Sequence, residues 1–251
     1  GTYGITAGGA ITDSGTQEIT GVTTLAAGSG NDITLDTSTN NFAAAVVITS
    51  GNNVAITDED AIDLGAATVS GTYGITAGGA VTDSGTQEIA GATTISASGQ
   101  DVTLDISTNN FAAAVGITGA AVTVVDENTI DLGASTVSGT YTITATEGDI
   151  TDSGNLAITN AATFTTTEAS SNIILDQSGN AFSKKVTMKS GNGTAAFGNL
   201  TFVNSGPVRL HTSADTDDDL YINAATDGTV GGTLSVTASG DITQTVPLVV
   251  A

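Results

Sequence analysis

The first nineteen residues of the chain occur twice. Residues 1–19 read GTYGITAGGAITDSGTQEI, and residues 71–89 repeat them with one change, Val81 in place of Ile11. Looser copies begin at Gly139 (GTYTITATEGDITDSG) and at Gly232 (GTLSVTASGDITQT), so successive copies start 70, 68 and 93 residues apart. Long internal repeats of this kind predict a fold in which each copy buries its apolar face by stacking on its neighbours.

A shorter period lies within each long copy. TLDTSTNNFAAAVVITSG (34–51) matches TLDISTNNFAAAVGITG (103–119) and ILDQSGNAFSKKVTMKSG (174–191). In the same way, TDEDAIDLGAATVSG (57–71) matches VDENTIDLGASTVSG (125–139). Cutting the copies at their Gly and Asn residues gives units of about 20 to 29 residues, which is the size of one β-solenoid turn with two or three short strands.

Substitutions between the copies indicate which side chains face a core. The residues AVVI at 45–48 become AVGI at 114–117 and KVTM at 185–188. The second and fourth positions stay apolar, whereas the first and third positions accept Lys, Gly and Thr. An alternation of period two is typical of a β-strand with one buried face and one exposed face.

These patterns predict an all-β fold, a right-handed parallel β-helix (β-solenoid) of about ten to eleven turns of roughly 20–29 residues each. An aromatic content of 4% suits the narrow core of such a fold. We expect a single β-solenoid segment over 1–251, made of long repeats 1–70, 71–138 and 139–231 and the start of a fourth at 232–251. The first two repeats are expected to have three turns each and the third four, with 206–230 as most of the additional turn.

Equivalent residues of the copies are expected to stack on one another. Ile5, Ile75 and Ile143 are predicted to form one core ladder. Asn40-Asn41 and Asn109-Asn110, with Asn180 aligned to the first member, are predicted to lie at corners. Asn tolerates left-handed backbone angles there, and its amide can bond backbone groups. Glycan binding by these Asn residues is the alternative interpretation.

The charge of the chain is strongly one-sided. There are 26 acidic and 4 basic residues, and the formal net charge is −22. Such a surface repels the phosphates of nucleic acids and of anionic membranes, so we expect no nucleic-acid partner. No apolar run is long enough to predict a transmembrane segment. Cys is absent, which excludes disulfides and thiol catalysis.

Several segments resemble the repeats of a known protein family. ITAGGAITDSG, TLDTSTNNF, AIDLGAATVSG and LSVTASGDITQT are similar to repeats of filamentous-haemagglutinin-like exoproteins, the giant bacterial surface adhesins of the two-partner secretion type. The resemblance covers essentially the whole chain. It implies a right-handed parallel β-helix that is secreted to the bacterial cell surface and acts there as a rigid stalk or adhesive fibre. It carries over no catalytic residue.

The partners expected from this resemblance are neighbouring repeats of the same giant chain. Three other functions stay open: a glycan- or receptor-binding adhesin module with a ligand on a host or other cell, a self-stacking filament subunit, and a β-helix enzyme that degrades polysaccharides. The enzyme would use Arg209, His211 and the acidic cluster that follows them. We predict no enzyme, because Trp is absent and an acidic surface repels an acidic polysaccharide.

One acidic segment is a candidate metal site. Asp215, Asp217 and Asp219 alternate as in the first part of a Ca²⁺ loop, where oxygen ligands gather around the ion. Leu220 stands where that loop needs Gly, and no Glu follows at the required distance. The segment fits either a weak Ca²⁺ site or a solvated acidic loop. We expect no required cofactor.

Other Asp residues recur at fixed positions of the repeat. They form three sets, Asp13 with Asp83 and Asp152, Asp36 with Asp105 and Asp176, and Asp63 with Asp131. Equivalent members separated by about three turns are too distant to share a metal ion. We expect them to cap turns or to face solvent, where their charge also opposes edge-to-edge aggregation of strands.

Overall fold

A computed structural model of the chain describes residues 1–190, 197–211, 219–223 and 230–244. The regular secondary structure in these ranges consists of β-strands, with no α-helix. It follows that the described residues hold no helix long and apolar enough to cross a membrane. The chain divides into two compact units, Gly1–Ala120 and Ala121–Ala251.

The first unit contains two main parallel sheets. Its strands are β1 (Tyr3–Thr6), β2 (Ile11–Thr12), β3 (Glu18–Ile19), β4 (Thr23–Ala26), β5 (Ile33–Leu35), β6 (Asn41–Phe42), β7 (Val46–Gly51), β8 (Val54–Asp58), β9 (Ile62–Val69), β10 (Tyr73–Ala77), β11 (Val81–Asp83), β12 (Gln87–Ile89), β13 (Thr93–Ser96), β14 (Val102–Leu104), β15 (Asn110–Phe111) and β16 (Val115–Gly119). Sheet A has the order β1-β4-β7-β9-β11-β14, and sheet B has the order β2-β5-β8-β10-β13-β16. The short strands pair separately, β3 with β6, and β12 with β9 and β15.

The second unit repeats this arrangement in its described residues. Its strands are β17 (Val122–Asp126), β18 (Ile130–Leu132), β19 (Ser135–Val137), β20 (Tyr141–Ala145), β21 (Ile150–Asp152), β22 (Leu156–Ile158), β23 (Ala162–Thr166), β24 (Ile173–Leu175), β25 (Ala181–Phe182), β26 (Val186–Ser190), β27 (Leu200–Asn204), β28 (Val208–His211), β29 (Asp219–Asn223), β30 (Leu234–Ala238) and β31 (Ile242–Gln244). Sheet C has the order β17-β20-β23-β26-β29-β28-β31, and sheet D has the order β18-β21-β24-β27-β30. β22 pairs with β19 and β25.

The strands form because alternate side chains point into a narrow core. In β8, Val54, Ile56 and Asp58 are buried while the two residues between them are half-exposed. Consecutive strands pair in parallel so that buried residues lie beside buried residues, as Ile33 beside Val54 and Val54 beside Tyr73 in sheet B. The prediction of an all-β parallel β-solenoid is therefore confirmed.

The core is mostly Ile, Val and Leu, as the low aromatic content predicts. The second unit adds a row of aromatic rings. Tyr141 contacts Phe164 edge-on at 5.9 Å between centroids, Phe164 contacts Phe182 at 6.1 Å, and Phe182 lies tilted against Phe202 at 5.2 Å. Such contacts favour one packing arrangement beyond the burial of area.

Equivalent strands of the first two copies lie in opposite sheets. The seven main strands of the first copy (β1, β2, β4, β5, β7, β8 and β9) alternate between sheets A and B, so the second copy begins in sheet B. The first long repeat thus spans three and a half turns, and the expectation of three for it was wrong. Ile5 pairs with Leu25 in sheet A, whereas Ile75 pairs with Ile56 and Ile95 in sheet B, so Ile5 and Ile75 do not share a ladder. The same exchange separates β20 in sheet C from β30 in sheet D.

The third copy departs from the regular order of strands. β29 follows β28 in the chain, yet it lies between β26 and β28 in sheet C and pairs with both in parallel. β28 pairs in turn with β31. Within the segment predicted to form an additional turn, β29 therefore precedes β28 in the order of the sheet, although it follows β28 in the chain.

Candidate functional site

The predicted Ca²⁺ ligands fall largely beyond the part of the chain that the structure describes. Asp215 and Asp217 lie outside the described residues, and Asp219 is described only in its backbone, at the start of β29. The Ca²⁺ site therefore stays a prediction. Among the described residues, no group of three or more His, Asp and Glu side chains is close enough to hold a metal ion.

Three buried Asn side chains join consecutive turns of the solenoid. Asn40, Asn109 and Asn180 are each 0% exposed. The Nδ2 group of each donates to Oδ2 of an Asp on the preceding turn: Asn40 to Asp13 at 2.7 Å, Asn109 to Asp83 at 2.6 Å, and Asn180 to Asp152 at 2.6 Å. We call each pair an Asp–Asn clamp.

Each clamp also binds backbone N–H groups. The Asn Oδ1 atoms accept from the N–H groups of Gln17 at 2.8 Å, Gln87 at 2.9 Å and Leu156 at 2.9 Å. The carboxylates of Asp13, Asp83 and Asp152 accept from the N–H groups of Thr37 at 3.3 Å, Asp105 at 3.0 Å and Asp176 at 2.8 Å. The expectation that these Asp residues cap turns is confirmed, whereas Asp36, Asp105 and Asp176 face solvent.

The amides of the corner Asn residues bond backbone groups, as expected, but these residues do not use the left-handed backbone angles that Asn tolerates. Among the described residues, the only non-Gly residue with positive φ is Ser170, and the Gly residues with positive φ are Gly28, Gly99 and Gly148. Asn40 and Asn109 instead point inward from ordinary backbone. The Nδ2 group of each amide donates to a carboxylate of another turn, and its Oδ1 atom accepts from the N–H of a loop residue. The sequence pattern does not distinguish this role from that of a residue in a tight corner.

The clamp carboxyls differ in their protonation equilibria. Burial raises the pKa of Asp83, although the hydrogen bonds from Asn109 and Asp105 act in the opposite direction. Burial likewise raises the pKa of Asp152 against the bonds from Asn180 and Asp176. Burial also raises the pKa of Asp13, but there the hydrogen bonds outweigh it and the net shift is downward.

A second set of side-chain oxygens caps the short strands. Asp58 is 1% exposed, and its carboxylate accepts from the N–H groups of Phe42 at 3.0 Å and Asp60 at 2.9 Å. Burial raises the pKa of Asp58 despite these bonds. In the third copy, Asn204 Oδ1 accepts from the N–H of Phe182 at 2.9 Å. A neutral amide therefore does in that copy what a carboxylate does in the first.

Sequence analysis missed a third set of contacts, at the corner preceding sheets B and D. Asp32 Oδ1 accepts from the N–H of Asn53, and Asn53 Oδ1 accepts from the N–H of Thr72, both at 3.1 Å. In the second unit the series runs from Asp149 to Asn172 at 2.7 Å, to Asn199 at 2.6 Å and to Thr233 at 2.9 Å. The available signal was an Asp, Asn or Thr directly before the first residue of each of these strands.

A cavity of about 630 Å³ opens in the second unit beside the rearranged strands β28 and β29. Phe182, Phe202 and Pro207 form apolar parts of its lining. The charged residues that line it are Lys184, Arg209 and Asp241. Arg209, which sequence analysis placed in a catalytic alternative, therefore lies at a cavity, while the side chain of His211 is outside the described residues.

Comparison with known proteins gives one match. The family model described as "Repeats of unknown function (DUF5649)" matches residues 1–49, 51–118, 119–189 and 211–251. No curated protein and no solved structure matches the chain. Because these four segments take in most of its length, the chain belongs to the DUF5649 family of repeats.

Proposed function

We propose that the chain is a structural, adhesive repeat segment of a giant secreted bacterial cell-surface protein, where it acts as a rigid stalk or fibre. The observation that carries the proposal is the use of the recurrent polar residues. The Asp and Asn residues of the three clamps recur in each of the first three copies and join one turn to the next. A chain selected for length has this use for such residues, because every added turn needs the same contacts.

Stiffness would come from the large number of hydrogen bonds that connect each turn to the next. Each turn is held by parallel backbone ladders in two sheets, and the clamps and corner contacts add side-chain bonds between the same turns. Buried hydrogen bonds to charged groups are stronger than neutral ones and fix the geometry of their partners. Bending the solenoid would require these bonds to lengthen together.

The proposed location is the extracellular face of a bacterial cell. A net charge of −22 and the absence of Cys suit a protein exported through an oxidising compartment, and the filamentous-haemagglutinin-like repeats that this chain resembles imply the same place. We propose no catalytic activity and no required cofactor, with Asp215, Asp217 and Asp219 as a Ca²⁺ candidate. Neighbouring repeats of the same chain are the proposed partners.

A lengthened chain tests the structural role. A further copy of residues 71–138 inserted after Ser138 should add three and a half turns, or about 17 Å at the spacing of β-strands. Small-angle X-ray scattering should record that increase in the largest dimension, and the melting temperature should not fall. An inserted copy that left the dimension unchanged or lowered the melting temperature would refute the additive role.

Two measurements address the location and the rival assembly. An antibody against the chain should label intact cells of the source bacterium, and labelling only after lysis would contradict surface exposure. Electron micrographs of the purified chain should show single particles. Long fibres would favour the self-stacking filament subunit instead.

A further inference from the structure

The positive charge of the molecule is confined to one place. All four basic residues, Lys184, Lys185, Lys189 and Arg209, lie in the third copy, within a chain of net charge −22. Lys184 and Arg209 are 25 positions apart in sequence, yet both line the 630 Å³ cavity. The fold therefore gathers half of the basic side chains at one concave surface.

The other copies provide an internal comparison. Alignment of the repeats places Lys184 where the first two copies have Ala44 and Ala113. It places Arg209 where they have Asp63 and Asp131. The segment NSGPVR at 204–209 replaces DEDAID at 58–63 and DENTID at 126–131, so the third copy also loses its acidic residues there.

These two changed segments meet in the structure. The N–H of Phe182, two residues before Lys184, donates to Asn204, just as the N–H of Phe42 donates to Asp58 in the first copy. Both segments that make this contact are therefore more positive in the third copy than in the first two copies.

The shape of the cavity follows from the rearranged strands. β29 fills the rung between β26 and β28, and the loop of Ser205, Gly206 and Pro207 borders the opening. Phe182 and Phe202, tilted by 37° to each other, provide an apolar floor. Asp241 is the acidic residue in the lining, and Ser183 and Thr243 contribute hydroxyls.

We propose that this cavity binds a small organic anion, a molecule of about one ring that carries a single carboxylate. Its volume falls in the range of small-molecule sites, which is roughly 300–1,000 Å³. The guanidinium group of Arg209 suits a carboxylate because its N–H groups can donate in parallel, and Lys184 adds a second positive charge. The apolar side of the ring rests on Phe182 and Phe202.

The charge of the whole chain limits the ligand to a compact one. An extended polyanion would meet the acidic surface on either side of the cavity and be repelled. A small anion feels mainly the charges within about 8 Å at physiological salt. In the lining of the cavity these are the two basic side chains Lys184 and Arg209 and the one acidic side chain Asp241. The carboxylate can belong to an acidic sugar or to an aromatic acid, and the same experiment distinguishes the two.

The test is a titration of the full chain, followed by NMR or calorimetry at physiological salt. The probes are N-acetylneuraminic acid, glucuronic acid and benzoate, with glucose and benzyl alcohol as neutral counterparts. We expect saturable binding of at least one carboxylate and much weaker binding of the neutral molecules. Binding of the sugar acids alone would show that the cavity accepts a sugar ring, and binding of benzoate alone would show that it accepts an aromatic ring.

The variants restore the residues of the other copies. Lys184→Ala and Arg209→Asp should each weaken binding about tenfold or more, because each removes a charge-assisted contact. Lys189→Thr removes the same charge at a residue outside the cavity, and it also restores the residue of the other copies, Thr49 and Thr118. It should leave the affinity unchanged. Arg209→Gln, which keeps a long polar side chain, guards against misfolding of the Asp variant, and its thermal melt should show a cooperatively folded protein.

Three results would overturn the proposal. They are the absence of saturable binding by every carboxylate probe, equal affinity for the neutral counterparts, and equal weakening by Lys189→Thr and Lys184→Ala. The last would mean that the anion responds to diffuse charge and not to the cavity.

Discussion

Asn180 illustrates how strictly a single residue is specified in this solenoid. Its Nδ2 group faces the carboxylate of Asp152, and its Oδ1 atom faces the N–H of Leu156. A buried site that needs a donor on one side and an acceptor on the other admits an amide and few other side chains. The same requirement holds for Asn40 and Asn109, which explains why Asn recurs there in every complete copy.

Asn180→Asp should therefore be strongly destabilising at neutral pH. Two buried carboxylates would face each other where one hydrogen bond now lies, and breaking a buried charged contact costs about 3–5 kcal/mol. Chemical denaturation at pH 7 should show this loss in the free energy of unfolding. At about pH 4 or below, one carboxyl would be protonated and could donate to the other, so most of the loss should be recovered.

Asn160→Asp is the matched control for that substitution. Asn160 is exposed, and its Oδ1 accepts from the N–H of Ala161, a bond that a carboxylate can also accept. It should change the free energy of unfolding little at either pH. A similar loss at both sites would show that the clamp has no special role.

The corner residues mark the limit of what the sequence predicts at this scale. The alternation around Val54 and Ile56 predicted their burial correctly, because that pattern is local. The spacing of Asn40 and Asn109 was also clear, but their conformation depends on Asp13 and Asp83 one turn away. No pattern within a single turn contains that information.

At the scale of elements, some corner glycines let neighbouring turns approach closely. Gly15 and Gly85 stand in identical TDSGTQE segments of the first two copies. A Cβ atom added to Gly85 would collide with the backbone of Ala66 on the neighbouring turn, whereas one added to Gly15 meets no atom within 4 Å. The same substitution should therefore have different effects in identical sequence contexts.

Gly85→Ala should lower the free energy of unfolding by about 1–3 kcal/mol, because the backbone of one turn must shift. Gly15→Ala should be neutral or slightly stabilising, because it restricts the unfolded chain without a clash. Thermal melts monitored by circular dichroism compare the two variants directly. Equal melting temperatures would contradict the close approach of the turns at Gly85.

The positions of whole strands were only partly predictable. Strand identity followed from alternating burial, as at 45–48, but the sheet to which each strand belongs did not. Whether Ile5 and Ile75 share a sheet depends on whether the copy holds an even or an odd number of main strands, since consecutive main strands alternate between the sheets. Repeat length alone fits both, because turns differ in length: Tyr3 to Thr23 takes 20 residues and Thr23 to Val46 takes 23.

The cavity was not predictable for a similar reason. Lys184 and Arg209 stand 25 positions apart, and nothing local in the sequence indicated that they line one opening. Their proximity depends on β29 occupying the rung between β26 and β28. Pairing out of chain order leaves no periodic trace in the sequence.

At the scale of the whole molecule, the buried carboxyls should add stability as the pH falls from 7 toward their unfolded pKa of about 4. Burial raises the pKa of Asp58, Asp83 and Asp152, and such carboxyls stabilise the fold fully below their unfolded pKa of about 4. That contribution is lost as the pH rises through the folded pKa. Asp13 and Asp32, whose pKa values are lowered, act in the opposite direction at more acidic pH.

Salt separates the buried carboxyls from the surface charge in this experiment. A net charge of −22 also disfavours the compact state at neutral pH, but high salt screens exposed charges and affects buried ones much less. We expect melting temperatures to rise on acidification at both low and high salt. A flat profile at high salt would assign the whole effect to the surface.

The half-turn left over in the first long repeat decides which sheet carries the equivalent side chains of the next copy. A side chain that projects from sheet A in one copy has its counterpart on sheet B in the next, as exposed Thr6 and Thr76 do. Gaining one such copy would move the equivalent side chains of the next copy to the other sheet, and gaining two would restore them to the first. Duplication of single copies therefore changes the direction in which a bound partner is presented, and duplication in pairs changes only its distance.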